Sequence, residues 1–155
     1  MMRVGMGVDA HRLVANRPLI LGGIHIPYHK GLLGHSDADV LTHTLIDACL
    51  GALGLGSIGV LFPSTLAFKD VRSVLLLEKT MEWVREKGYE VVNTDSVIVA
   101  QEPKLMPYVQ DMMAVLSKVL GSSSISIKAT TFEGLGFEGK KQGISCQTVV
   151  LLNKI

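Results

Sequence analysis

The chain has 155 residues, 48% hydrophobic and 19% charged, with a net charge of +1. That is enough apolar material for the core of one domain over 1–155, and too little charge for disorder. With no basic run, nucleic-acid binding driven by bulk charge is excluded, and no apolar span approaches the roughly 18 residues of a membrane helix.

Met1–Gly5 lacks the apolar run of a signal peptide, so a soluble, cytoplasmic protein is expected, without membrane or nucleic-acid partners. Arg3–Val8 alternates weakly and ends in Asp9-Ala10-His11, a first strand with polar residues at its C-terminal end. Asn16-Arg17-Pro18 is a turn signal. Leu19–Leu21 and Ile24–Ile26 flank Gly22-Gly23 as a tight hairpin, the glycine pair supplying positive φ. Gly31 and Gly34 then lead into a helix from Val40 to about Leu53, with Ser36 or Asp37 as its N-cap and Gly54–Gly59 as its stop. Val60–Lys69 has no period and reads as a loop.

Asp70 reads as the cap of a second helix with a buried stripe of Val71, Val74, Leu75, Leu77, Met81 and Val84, ended by Gly88. Glu90–Gln101 is strand-like. Pro107 fits the first turn of a third helix that Gly121 ends. Ser124–Thr131 alternates as a half-buried strand, and four glycines from Gly134 to Gly143 mark a flexible connection. Ser145–Asn153 is nearly continuous in apolar residues and is expected to be the central strand. Cys49 and Cys146 both stand in apolar stretches and read as buried thiols of a reducing compartment. Trp83, Met112 and Met113 read as core.

Asp9 and His11 are two apart on a strand and so share a face. With His43 they make an Asp/His/His set suited to zinc or another divalent transition metal. The alternative is that Asp9 caps a turn and both histidines pack ordinarily. Asp47, four residues after His43 on one helical face, can orient an imidazole or simply meet solvent. His35 and Ser36 lie where a helix start exposes free N–H groups, a ready anion site. In the Lys128–Phe137 segment, hydroxyls at a strand end can hold phosphate, with Mg²⁺ or Mn²⁺ on Glu133, or the segment is a polar turn. Lys104 offers a point charge. His25 and His29 have no partner at useful spacing.

Gly7-Val8-Asp9-Ala10-His11, the Gly-His-Ser-Asp-x-Asp run at 34–39, Ala100-Gln101-Glu102-Pro103-Lys104 and Lys128-Ala129-Thr130-Thr131 recur in one order over essentially the whole chain. In these the chain resembles the 2-C-methyl-D-erythritol 2,4-cyclodiphosphate synthase family. The resemblance implies an α+β fold with a mainly four-stranded mixed sheet, helices packed on one face, and a small hairpin. It implies a homotrimer with sites between subunits and a small diphosphocytidyl substrate that cyclises with loss of CMP.

It further implies that Asp9, His11 and His43 are zinc ligands, that His35 and Ser36 hold phosphate, and that Thr131 steadies the transition state beside His35. Glu133 matches the carboxylate on a second ion, Mg²⁺ or Mn²⁺. Ala100, Gln101, Glu102, Pro103, Lys104, Leu105 and Met106 match the pocket for cytosine and diphosphate. Ala10, Ser57, Ile58, Gly59 and Phe62, with Thr130, Phe132, Phe137 and Lys140, complete the implied substrate-binding set.

Four departures stand out. Ser57 occupies a position where the family usually has an acid that grips ribose. The Phe62-Pro63-Ser64-Thr65-Leu66 loop is one residue shorter and lacks both usual acids. Lys140 stands for arginine and Gln142 for glutamate. The expectation is altered substrate grip with the chemistry retained, against the alternative of a non-catalytic protein binding cytidine nucleotide or isoprenyl diphosphate.

Overall fold

The structure, a computed structural model, describes residues 1–155. The N-terminal strand β1 runs over Met2–Ala15, beyond the expected end at His11. The hairpin is as predicted: β2 (Leu19–Leu21) pairs antiparallel with β3 (Ile24–Ile26) across Gly22 and Gly23, whose φ values are 58° and 75°. A short β4 (Lys30–Leu32) adds to the C-terminal part of β1, Leu13 opposite Leu32. The extension of β1 creates that pairing, so the four core strands are joined by a fifth.

Helix α1 (Val40–Leu53) ends at Gly54, φ 69°. It is apolar on nearly every side, and Val40, Leu41, Leu45, Ile46, Cys49 and Leu50 are all buried, the pattern of a central rather than a surface helix. Its N-cap is Asp39, not Ser36 or Asp37. Asp39 is fully buried, and its carboxylate accepts from Thr42 N (3.0 Å), Thr42 Oγ1 (2.7 Å), Gly22 N (2.9 Å) and Gly23 N (2.8 Å). One side chain therefore caps the helix and ties the hairpin turn to it.

The segment read as a loop after Gly59 carries a short helix, α2 (Ile58–Leu61), and a 3₁₀ turn at Leu66–Phe68. Helix α3 (Ser73–Glu86) begins after Arg72, and Asp70, at φ 57°, does not cap it. Asp37 accepts the Ser73 N–H instead, at 3.0 Å. Leu75 is exposed, and Leu76 takes its place in the buried stripe. Gly88 follows the helix at φ 79°. Strand β5 (Tyr89–Val99) leads through a 3₁₀ turn at Met106–Tyr108 to α4 (Val109–Leu120), which Gly121 caps. Next come β6 (Ile125–Thr130), a four-residue turn of helix α5 (Gly136–Gly139), and β7 (Gly143–Lys154).

Sheet order is β4-β1-β7-β5-β6, so the last strand is central, as its composition predicted. Only β5 and β6 run parallel, with α4 as their crossover. Helix α1 lies against β1 and β7, with α3 behind it. A buried line of hydroxyls links the layers, Ser96 Oγ to Thr148 Oγ1 and Thr148 Oγ1 to Thr44 Oγ1, each 2.7 Å. Burial pushes both the Cys49 and Cys146 thiols up to about 12. No helix is long and apolar enough to cross a membrane. Replacing Asp39 by alanine strands three N–H groups, two of them buried, so denaturant unfolding of Asp39→Ala is expected to show a loss of about 3 kcal/mol.

Candidate metal centre and substrate pocket

Helix α1 and strand β1 meet where only glycine permits. A Cβ on Gly5 would overlap the Ala48 carbonyl, and one on Gly7 the Thr44 carbonyl. Asp9 and His11 follow on the same face of β1, so this close approach sets them beneath His43 in the first turn of α1. Asp9 Oδ2 is 2.9 Å from His11 Nε2 and 3.0 Å from His43 Nδ1, and the two ring nitrogens are 3.2 Å apart.

His11 Nδ1 donates to the Leu33 carbonyl at 2.8 Å. A carbonyl can only accept, so the neutral ring turns the bare lone pair of Nε2 toward Asp9 and His43. One carboxylate oxygen and two imidazole nitrogens thus converge, all within 4.8 Å of one another. This donor set fits a divalent cation of the zinc type, with room for a further ligand. The electrostatics agree. Burial favours a neutral Asp9, yet His11 and His43 outweigh it and hold the carboxyl well below the usual range. Burial lowers His11, and Asp9 reverses this to leave it raised. Both shifts mark a point where positive charge is favoured.

The triad opens into a hollow of about 210 Å³ that also gathers His35, Ser36, Ile58, Gly59 and Phe62 of the expected residues. Ser64, from the loop without its usual acids, lines it too, with Phe68, Val71 and Leu76, which no sequence motif announced. Ser57 stands just before α2, exposed and without a capping bond. His35 Nε2 donates to the Thr65 carbonyl at 2.6 Å, so the loop lies over this ring. Phe62 stacks on Trp83 at 5.5 Å between centroids, which anchors the loop's start.

Asp47 does not orient an imidazole. Its Oδ1 accepts from Ile58 N at 2.7 Å and so fixes the start of α2. The far side of His43 belongs instead to two hydroxyls, Ser73 Oγ at 2.8 Å and Ser36 Oγ at 3.0 Å. Arg17 was also missed. Its guanidinium donates to the Leu32 and Ser36 carbonyls at 2.6 and 2.9 Å and braces the loop that carries His35. A lone arginine in a turn, or a serine 30 positions from its partner, leaves no spacing signal to find.

A second hollow, about 560 Å³, lies between Ala100–Leu105 and the end of β6. Lys104, Met106, Thr130 and Thr131 line it, with Ala100, Gln101, Pro103 and Leu105. Glu102 is turned away from it, paired with Lys141 at 2.8 Å. Phe137 lines a third hollow with Ala10, His11 and Gln142. Phe132, Glu133 and Lys140 are exposed and line none of the three. No residue lines both the first hollow and the second, so within one chain the expected substrate residues stay divided.

The YgbB family pattern matches residues 2–153. The 2-C-methyl-D-erythritol 2,4-cyclodiphosphate synthase of Bacillus cytotoxicus is 55% identical over 157 residues, covering 99% of each chain. That of Clostridium kluyveri is 54% identical, over 97% of this chain and 94% of its own. Among solved structures, the bifunctional IspDF of Campylobacter jejuni superposes with a TM-score of 0.96 at 43% identity, covering all of this chain and 43% of that longer one. IspF of Plasmodium falciparum, in complex with CDP, gives 0.88 at 34% identity, over 99% of this chain and 96% of its own.

Removing one donor should empty the triad. His43→Ala protein is expected to retain no stoichiometric zinc after dialysis, measured by elemental analysis, while stoichiometric zinc in that variant would remove His43 from the ligand set.

Proposed function

This chain belongs to the YgbB family, and on that footing we infer that it converts 4-diphosphocytidyl-2-C-methyl-D-erythritol 2-phosphate to 2-C-methyl-D-erythritol 2,4-cyclodiphosphate, a step of non-mevalonate isoprenoid synthesis. The reaction is a phosphoryl transfer within one molecule. A 2-phosphate oxygen attacks the β-phosphorus, the bond from that phosphorus to the oxygen bridging it to the α-phosphate breaks, and CMP leaves. Both reacting groups arrive on one substrate, so the protein's task is positioning and charge neutralisation.

The convergence of Asp9, His11 and His43 beside Ser36 and His35 is the observation that carries this reading. A divalent cation, zinc or a close analogue, supplies charge neutralisation for the phosphates when bound to the three donors. Ser36 Oγ and the His35 ring hold phosphate oxygens at the start of α1, once the Thr65 carbonyl releases His35. Lys104 and the Ala100–Met106 segment receive the cytidine diphosphate, and Thr131 lies beside them to steady the transferring group. Glu133 is assigned to a second ion, Mg²⁺ or Mn²⁺.

A homotrimer is part of the proposal. The sheet face away from α1 exposes Met2, Val4, Met6 and Val8, between 56% and 68%, with Val149 alongside on β7. An apolar face of that kind asks to be covered. Pairing the metal hollow of one subunit with the nucleotide hollow of the next would also unite the two halves that one chain keeps apart. The two unbridged cysteines fit a reducing, cytoplasmic setting.

Purified protein with zinc and Mg²⁺ should release CMP from the substrate; tight cytidine-nucleotide binding without release would favour a binding protein. At the ribose position, Ser57→Asp should lower KM by about tenfold with kcat little changed, because a charged acceptor adds about 1.5–3 kcal/mol where the hydroxyl gives less. Chains carrying His43→Ala and Lys104→Ala should regain activity when co-assembled, and failure to do so would place the whole site within one subunit.

A further inference from the structure

We propose that Asp37 and Ser73 form a carboxylate–hydroxyl relay that sets the tautomer of His43, and that they are thereby positioning residues for the cation held by Asp9, His11 and His43. This rests on the metal reading of those three residues. The cluster's proton inventory decides the arrangement. Asp37 as a carboxylate can only accept. It takes the Ser73 backbone N–H on Oδ2 at 3.0 Å and the Ser73 hydroxyl proton on Oδ1 through a short bond.

A hydroxyl has one proton. With that proton directed at Asp37, Ser73 Oγ can meet His43 Nε2, 2.8 Å away, only as an acceptor. His43 must then carry its proton on Nε2, which leaves a bare lone pair on Nδ1. That lone pair faces Asp9 Oδ2 at 3.0 Å and His11 Nε2 at 3.2 Å. In the other tautomer Nδ1–H would donate to Asp9 and block the metal site. Partners on the far nitrogen of a metal-binding histidine typically fix its orientation in this way.

The same inventory reaches Ser36. Its Oγ lies 3.0 Å from His43 Nε2 and accepts from Ala38 N at 3.2 Å. The one Nε2 proton of His43 goes to the nearer Ser73 Oγ, so Ser36 Oγ receives the Ala38 N–H and keeps its own hydroxyl proton to give, either into the hollow or to Ser73 Oγ at 3.4 Å. Ser73 is fully buried, and His43 and Ser36 are 7% and 9% exposed, so water does not compete with the line of bonds. Capping of α3 alone would need only the Asp37 bond to the Ser73 backbone. The hydroxyl bond is additional, and it is the one that touches His43.

Two variants separate these roles. Ser73→Ala keeps the backbone cap and removes the acceptor for His43. Asp37→Asn can still accept the Ser73 N–H but can offer its amide to Ser73 Oγ, which frees the hydroxyl proton to point at His43. The first readout is ¹⁵N NMR of imidazole-labelled, metal-free full-length protein. His43 is expected as the Nε2–H tautomer in the wild type and shifted toward Nδ1–H in Asp37→Asn. The second is zinc affinity by chelator competition, expected to fall about 10–100-fold in Ser73→Ala and in Asp37→Asn and to be restored in Ser73→Thr. Thermal melting of each variant identifies any that fails to fold, and the remaining one then decides. An Nδ1–H tautomer in the wild type, or wild-type zinc affinity in a folded Ser73→Ala, overturns the relay. Wild-type zinc affinity in Asp9→Ala would instead overturn the metal reading and leave the tautomer result standing.

Discussion

The fold and the site both depend on where α1 begins, and one buried carboxylate decides that. Asp39 accepts four hydrogen bonds, two from its own helix and two from the glycine turn of the β2–β3 hairpin. Burial and neighbouring Asp37 push its carboxyl up, while the donors pull the other way. A charge-assisted set of this size is worth having only where its geometry is fixed, because each donor left without its acceptor would be stranded away from water. The helix start therefore cannot slide, and His43, one turn further on, keeps its height above the sheet.

The second constraint is sideways. Gly5 and Gly7 let the backbone of α1 settle against β1 closer than any side chain would allow. The strand's alternation then puts the next two residues of that face, Asp9 and His11, under His43. A metal-binding set pooled from a strand and a helix thus needs no loop to hold it, and rigid elements are what a phosphoryl transfer dominated by positioning requires. By contrast, the residues we assign to the substrate's ribose and phosphates, Ser57, Ile58 and His35, sit on short turns. These turns are steadied by single contacts: Asp47 on Ile58, Thr65 on His35, and the Phe62–Trp83 stack.

The departures lie around the triad rather than in it. Ser64 lines the triad's hollow and Ser57 stands just before α2, while Gln142 lines the third hollow with His11 and Lys140 is exposed. On the proposed reading, changes at the rim alter how tightly the substrate is held, and changes to the triad or its supports remove charge neutralisation.

Local sequence alone determined much of the molecule. The Gly22-Gly23 hairpin, the bounds of α1, the glycine ends of α3 and α4, and the central place of the last strand follow from turn chemistry and hydrophobic period, which act over a few residues. Period-2 spacing likewise put Asp9 and His11 on one face, and the run of motifs named the family. Only the tertiary structure decided that Asp39 rather than Ser36 or Asp37 caps α1, that Asp37 serves Ser73, and that Asp47 serves Ile58. An acceptor goes to whichever N–H the packed chain leaves without a partner, and for Asp37 and Ser73 that donor lies 36 positions away. By sequence, the stretch at His35-Ser36-Asp37 reads as a helix cap beside a metal ligand. Folding made it the junction where α1, α3 and the shortened loop meet, because its polar groups are the acceptors and donors those three elements lack.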